Sequence, residues 1–151
     1  MKFLMVGNDI PGRRIDVLVE GFRRYGKGEL LLIGRGASKW GGMEGVAWDE
    51  LPRYYDEADV YVHNGEEQYS TAVQMAAQRG LPIICSKDVG IVADVEPTIA
   101  VADWKTPDGW LKAFEEFERM KEVAPTRFER RIEMTAAEII RRMRNGVGAE
   151  R

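Results

Sequence analysis

The sequence predicts an α/β domain, a parallel sheet of about six strands lying between two layers of helices. Three observations predict it. Short apolar runs alternate with stretches of helical periodicity through residues 2–118. The intervening segments are long enough for crossovers, which join parallel strands with right-handed connections. The segment from Ala58 to Ser86 also reads as strand, polar loop, short helix, glycine stop and second buried strand. This is one complete unit of such a sheet.

Lys2–Val6 is a short apolar strand, followed by a turn over Gly7–Gly12 that holds Asn8, Asp9 and Pro11. A helix runs to about Tyr25, with Ile15, Leu18, Val19 and Phe22 on one face, and Gly26 and Gly28 stop it. Glu29–Ile33 is the second strand and ends in Gly34-Arg35-Gly36. Residues Ala37–Gly45, polar and glycine-rich around Trp40, read as a loop, and Gly45–Ala47 as a short third strand. Asp49 is placed to cap a helix carrying Leu51, Tyr54, Tyr55 and Ala58. Val60–Val62 begins the fourth strand.

Ser70–Arg79 is a helix ended by Gly80, with Pro82 two residues later. Pro82–Cys85 and Thr98–Val101 are the fifth and sixth strands. Thr106 caps a helix with Pro107 at its first position, where the fixed φ of proline fits, and Trp110, Leu111, Phe114 and Phe117 form its apolar face. Phe128, Ile132, Ala136, Ile140 and Met143 mark a last amphipathic helix, with Thr135 and Glu138 spaced as a capping box. The chain thus reads as a single domain over 1–151, with 126–151 a C-terminal helical extension.

A length of 151 residues fits one domain. The formal charge of −3 is unevenly spread, because residues 36–125 carry 17 acidic side chains against 8 basic ones. That acidic centre argues against a nucleic-acid surface. The single cysteine, Cys85, excludes an intrachain disulfide framework, and its apolar surroundings predict a buried, inert thiol. No apolar run reaches the length of a membrane span, and the N-terminus enters a strand without a signal-peptide pattern, so a cytoplasmic protein is expected.

The carboxyl ends of the strands carry Gly7-Asn8-Asp9, Gly34-Arg35-Gly36, Ala47-Trp48, His63-Asn64-Gly65-Glu66-Glu67 and Ser86-Lys87-Asp88. In an open parallel sheet this edge is where ligands bind. Turns are rich in the same residues for conformational reasons alone. The Gly34-x-Gly36 pair follows the second strand and lacks a third glycine, so it is no dinucleotide fingerprint. A phosphate-loop lysine motif is absent, and the one histidine, His63, leaves no legible Ser/His/Asp triad or metal site. No metal or cofactor is expected.

These strand ends lie within longer matches. Val6-Gly7-Asn8-Asp9-Ile10-Pro11-Gly12-Arg13-Arg14-Ile15-Asp16-Val17-Leu18-Val19-Glu20-Gly21-Phe22 lines up without gaps with V-G-R-x-x-P-x-K-G-x-D-x-L-I-E-A-F. Leu30–Gly36 matches L-x-I-V-G-x-G, Glu50–Val60 matches E-L-P-x-x-Y-x-x-A-D-V, and Ala76–Pro82 follows E-A-M-A-x-G-x-P. In this order and spacing the chain resembles the C-terminal, donor-binding domain of retaining GT-B glycosyltransferases, the family that includes glycogen and sucrose synthases. The resemblance covers roughly residues 2–118. It implies a Rossmann-like domain, half of a GT-B fold, that binds a nucleotide-sugar donor for glycosyl transfer.

The resemblance also assigns roles. Glu67 holds the first position of the family's E-x7-E pair, which contacts the transferred sugar; Met75 replaces the second, which holds the ribose. Arg13 keeps one of the two basic positions facing the donor diphosphate, and Asn8 replaces the other. The family's P-S is Asn64-Gly65 here, and its G-G-x-P-E survives only as Val89–Ala93. Glu67 and Arg13 are therefore the expected catalytic residues. Gly7, Asn8, Arg13, Gly34, Arg35, Trp48, Asn64, Gly65, Tyr69, Ser70 and Thr71 are the expected donor-binding residues.

Each has a plainer reading. Ser70 and Thr71 are simple N-caps, Glu67 is favourable charge at a helix start, Arg13 is a solvated first-turn residue, and Trp48 and Trp40 are core or loop anchors. Met75 reads as core. These 151 residues are not expected to include an acceptor-binding domain of the GT-B kind. A separate acceptor-binding domain or a second copy of the chain is therefore the expected partner, with a nucleotide sugar as ligand and no nucleic acid. The competing functions are a non-catalytic GT-B-derived interaction or oligomerisation module, and another nucleotide-binding Rossmann-like protein.

Overall fold

A computed structural model describes residues 1–67, 70–90 and 98–123. The helix expected over 126–151 and the site candidate Tyr69 lie outside the described residues. Five parallel strands form one sheet: β1 (Lys2–Val6), β2 (Glu29–Ile33), β3 (Val60–His63), β4 (Ile83–Ser86) and β5 (Thr98–Val101), in the order β2-β1-β3-β4-β5. Among the described residues four α-helices connect or follow them: α1 (Ile15–Tyr25), α2 (Leu51–Glu57), α3 (Thr71–Gln78) and α4 (Pro107–Val123). The expected three-layer, Rossmann-like α/β domain is the fold of the chain.

The period-two alternation of each strand sorts its side chains between the two helical layers. Phe3 and Met5, Val60 and Val62, and Ile84 point to one face, where they pack with Ile15, Val17 and Leu18 of α1 and Trp110, Phe114 and Phe117 of α4. Leu4, Tyr61, Ile83 and Cys85 point to the other, against Leu51 and Tyr55 of α2 and Val73, Ala76 and Ala77 of α3. The first layer is aromatic, with Phe3 meeting Phe22 and Phe114 edge-on at centroid distances of 5.2 and 5.5 Å. Such pairs add about 0.5–1.5 kcal/mol to the burial of each ring. Helices α1 and α4 approach closely at Gly21, where a Cβ would stand 2.5 Å from Trp110 Cβ. Thr106 caps α4 as expected, its Oγ1 accepting the Gly109 N–H at 3.1 Å.

Two expectations about local structure are corrected. Gly45–Ala47 is not a strand, so the sheet has five strands among the described residues. Only Met43 reaches the β2 ladder, accepting from Gly34 N and donating to Leu32 O. Beyond it Glu44 folds back, and Ala47 O is committed to the N–H groups of Glu50 and Leu51. For the same reason Asp49 does not cap α2. The cap position is Glu50, in helical conformation and with no side-chain hydrogen bond, so the helix grows out of the preceding turn. The stretch expected to be loop from Ala37 contains a 3-10 turn over Ala37–Trp40 between Gly36 and Gly41, both at positive φ.

The order β2-β1-β3 means that the chain leaves β1 toward one edge and returns on its other side. At that reversal the loops after β1 and β3 diverge and leave a crevice beyond their carboxyl ends.

Candidate functional site

A cleft of about 550 Å³ opens at this crevice. Its walls come from five places in the chain. Val6 ends β1 and Gly7, Asn8 and Arg13 follow it, and Gly34 and Arg35 follow β2. Glu44, Val46 and Trp48 lead into α2; His63 ends β3 and Glu67 follows it; and Ser70, Thr71 and Met75 belong to the start and body of α3. Nine of the site residues expected from the sequence therefore share one cavity: Gly7, Asn8, Arg13, Gly34, Arg35, Trp48, Glu67, Ser70 and Thr71.

Glycine at 34 has a steric origin. Its φ is +150° and a Cβ there would lie 2.1 Å from Gly7 O, so the β1 and β2 exits can meet only over a hydrogen. The contact is tied by Gly7 N–H to Ile33 O at 2.8 Å and by Arg35 N–H to Asn8 Oδ1 at 2.9 Å. Asn8 thus pins the two loops together in addition to lining the cleft. Gly7 leaves room for Arg13, whose Nη1 would stand 2.1 Å from a Cβ at that position and donates to Asn8 O at 3.3 Å.

Arg13 Nη2 donates to Glu67 Oε1, forming an ion pair across the cleft floor. The same oxygen faces His63 Nε2 at 3.0 Å, and His63 Nδ1 faces the Tyr61 hydroxyl at 3.0 Å. Tyr61 and His63 share a face of β3 by the period of two, and their rings stack 5.9 Å apart, with Tyr55 stacked on Tyr61 at 5.5 Å. Val6 N–H donates to the Tyr61 oxygen at 3.3 Å, which anchors the far end.

Proton positions follow from chemistry. His63 is 1% exposed, and that burial lowers its pKa below the usual value despite Glu67 beside it. The imidazole is therefore neutral. The hydrogen bond from His63 is the largest influence holding the Glu67 carboxyl down at about 2, with Arg13 adding to it. An ionised carboxylate only accepts, so His63 carries its proton on Nε2, and its Nδ1 accepts a hydrogen bond from the Tyr61 hydroxyl, which also lies 3.2 Å from the acceptor Val6 O. Burial keeps the Tyr61 phenol well above 10, so it stays protonated. A line of three side chains thus runs from the core to a charged pair in the cleft.

The start of α3 forms the opposite wall. Ser70 is an N-cap, its Oγ accepting the Val73 N–H at 3.3 Å. Thr71 and Ala72 contribute first-turn N–H groups that have no acceptor within the helix. Glu44 turns its carboxylate onto Gly36 N–H at 2.7 Å and Ser38 N–H at 3.1 Å, and its hydrogen bonds to Ser38 and Gly36 lower its pKa. Arg35 makes no ion pair among the described residues. Trp48 is 71% exposed at the mouth, the most exposed large apolar side chain among the described residues.

Asn64 and Gly65 do not line the cleft. Asn64 is fully buried, with Nδ2 donating to Arg14 O at 2.9 Å and Trp104 O at 3.4 Å and Oδ1 accepting from Gly65 N–H. It stitches the β3 exit to the start of α1, where Arg14 holds a left-handed φ of 48°. Gly65 backs the stem of Arg13, with Cγ 3.5 Å from a Cβ built there. Met75 is only half-buried and lines the cleft while packing on the α2/α3 core, so its reading as core holds in part. Trp40 lies elsewhere, with Nε1 donating to Asp9 Oδ2 at 3.3 Å. Cys85 is buried as expected, and burial pushes its thiol up to about 12. Sequence reasoning misses Tyr61, Tyr55 and Glu44 as parts of this site. Tyr61 is signalled only by its spacing of two from His63.

No protein-family model and no curated protein matches this chain in sequence. Solved structures do match it in fold. The catalytic domain of cholesterol-alpha-glucosyltransferase from Helicobacter pylori aligns with a TM-score of 0.61 at 14% identity, over 93% of this chain and 98% of that one. Anabaena HepE in complex with UDP and glucose aligns with a TM-score of 0.67 at 13% identity, over 93% of this chain and 44% of HepE. HepE in complex with UDP-glucose gives 0.57 at 12%, over 95% and 48%. The chain spans about half the length of HepE. Its fold is therefore one that glycosyltransferases use.

Proposed function

We propose that the chain binds a nucleotide-sugar donor and is the donor half of a glycosyltransferase, completed by an acceptor-binding domain on a longer chain, on a separate partner or in a homo-oligomer. The observation that carries the reading is the convergence of Arg13 and the start of α3 on one cleft at the reversal of strand order. A guanidinium there offsets diphosphate charge, including the charge that grows on the leaving group as the glycosidic bond breaks. First-turn N–H groups of α3 take the distal phosphate. Glu67 accepts from sugar hydroxyls, and Trp48 offers an aromatic face to a base or sugar ring. A volume of about 550 Å³ lies in the usual range for small-molecule sites. The complexes of HepE with UDP and glucose and with UDP-glucose favour this ligand class over a dinucleotide.

Calorimetric titration with UDP, GDP, ADP and their sugar conjugates tests the reading. One nucleotide should bind saturably, and Arg13→Ala should weaken it by about 1.5–3 kcal/mol, the scale of a charged hydrogen bond. A folded Arg13→Ala protein with an unchanged dissociation constant would remove Arg13 from the site. No binding of any nucleotide by folded protein would shift the reading to a non-catalytic interaction module.

A further inference from the structure

The two halves of the Arg13–Glu67 pair are held very unequally. Glu67 is fixed from three directions apart from the arginine. Its N–H donates to Asp88 O at 3.3 Å, its carbonyl accepts Gly90 N–H at 2.8 Å, and its Oε1 accepts from His63 Nε2 at 3.0 Å. His63 is buried and tied through Tyr61 to the backbone of β1, so the carboxylate has a rigid support. Arg13 sits on a 3-10 turn of three residues, Pro11–Arg13, and among the described residues its guanidinium has one other bond, to Asn8 O at 3.3 Å. Glu67 Oε2 has no hydrogen-bond partner among the described residues.

The pair also dominates the charge of the cleft floor. While it is closed, the Arg13 guanidinium is neutralised by a carboxylate, and an anion entering the cleft meets a compensated charge. A competing anion moves the arginine, which has the fewer tethers, because the carboxylate is held on His63 and cannot follow it. We propose that the Arg13–Glu67 pair is a latch on the anion subsite: a diphosphate-bearing ligand opens it by drawing the guanidinium off Glu67, which stays on His63 through Oε1 and offers Oε2 to hydroxyl groups of the same ligand. The proposal rests on the reading of the cleft as a nucleotide-sugar site.

Titration of the wild-type chain, Glu67→Gln, Arg13→Ala and the double variant with UDP, GDP, ADP and inorganic pyrophosphate, at one salt concentration, tests it. The amide oxygen introduced by Glu67→Gln keeps an acceptor for His63, which protects the fold; Glu67→Ala provides a second variant. If the closed pair holds about nine-tenths or more of the population, Glu67→Gln tightens pyrophosphate and whichever nucleotide binds about tenfold or more. In the Arg13→Ala background that gain disappears. A gain that persists without Arg13 comes from the lost negative charge alone and overturns the latch, as does unchanged or weaker binding by Glu67→Gln. The donor-site reading is scored separately, on whichever of UDP, GDP and ADP binds. Nucleotide binding by wild type that is weakened in Arg13→Ala upholds that reading whatever Glu67→Gln does. Pyrophosphate tightening without binding of any of the three nucleotides upholds the latch and rejects the donor. Failure of all the proteins to bind pyrophosphate or any of the three nucleotides rejects both.

Discussion

His63 shows how a single side chain couples the core to the cleft. It is buried and neutral, whereas in the unfolded chain it titrates near 6.5. Below that pH the unfolded state binds a proton that the native state refuses, so stability falls with falling pH by up to about 1.4 kcal/mol per unit until the depressed native pKa is reached. Glu67 acts in the same direction in a lower window. Its native pKa of about 2, below the ordinary 4.5, means its contribution is present above 4.5 and lost as pH falls toward 2. Chemical denaturation from pH 7.5 down to about 5 should therefore show declining stability, and His63→Gln should flatten the slope. An equal slope in that variant would place the proton uptake elsewhere. At this scale the sequence is partly legible. Arg13 and Glu67 stand at motif positions, whereas the Tyr61–His63 support becomes visible only once β3 is buried and the i, i+2 pair shares a face.

Among the elements, α3 is the one whose local chemistry and site chemistry compete. Ser70 Oγ is already used by Val73 N–H at 3.3 Å, a long bond for a cap. Replacing Ser70 by Ala should cost about 0.5–1 kcal/mol of stability, the low end for a lost N-cap. If Ser70 only caps, nucleotide affinity follows that small loss of helix order and changes less than about fivefold. A tenfold loss of affinity with the same small change in denaturation midpoint would assign its hydroxyl to the ligand. Strands and helices with strong periodicity are legible: β1, β2, α1 and α4 fall where the apolar spacing puts them. The region between β2 and α2 is not. Its short apolar stretch at Gly45–Ala47 looks like strand, but its hydrogen bonds go to the start of α2, a tertiary choice that local sequence does not encode.

For the whole molecule, alternating elements point to the three layers, yet the strand order is not readable from the chain. Nothing local says that β3 pairs with β1 instead of β2, and that pairing creates the crevice. Of the five loops expected at one edge, four line the cleft: those after β1, β2 and β3, and the approach to α2. The loop after β4 serves indirectly, pairing its Asp88–Gly90 backbone with Glu67. Among the described residues no helix is long and apolar enough to cross a membrane.

The chain's four tryptophans are distributed in a way that gives the cleft its own optical signal. Trp104 and Trp110 are 3% and 0% exposed, and Trp40 is half-buried. Only Trp48, at the mouth of the cleft, is bathed in water. Its indole should emit at the red edge of the spectrum, and a stacked base or sugar should quench it or shift it to the blue while the other three stay constant. Trp48→Phe should abolish that change with the fold intact, and a change that survives would report motion elsewhere. Occupancy of the cleft can thus be followed in real time, by stopped-flow emission, without a label.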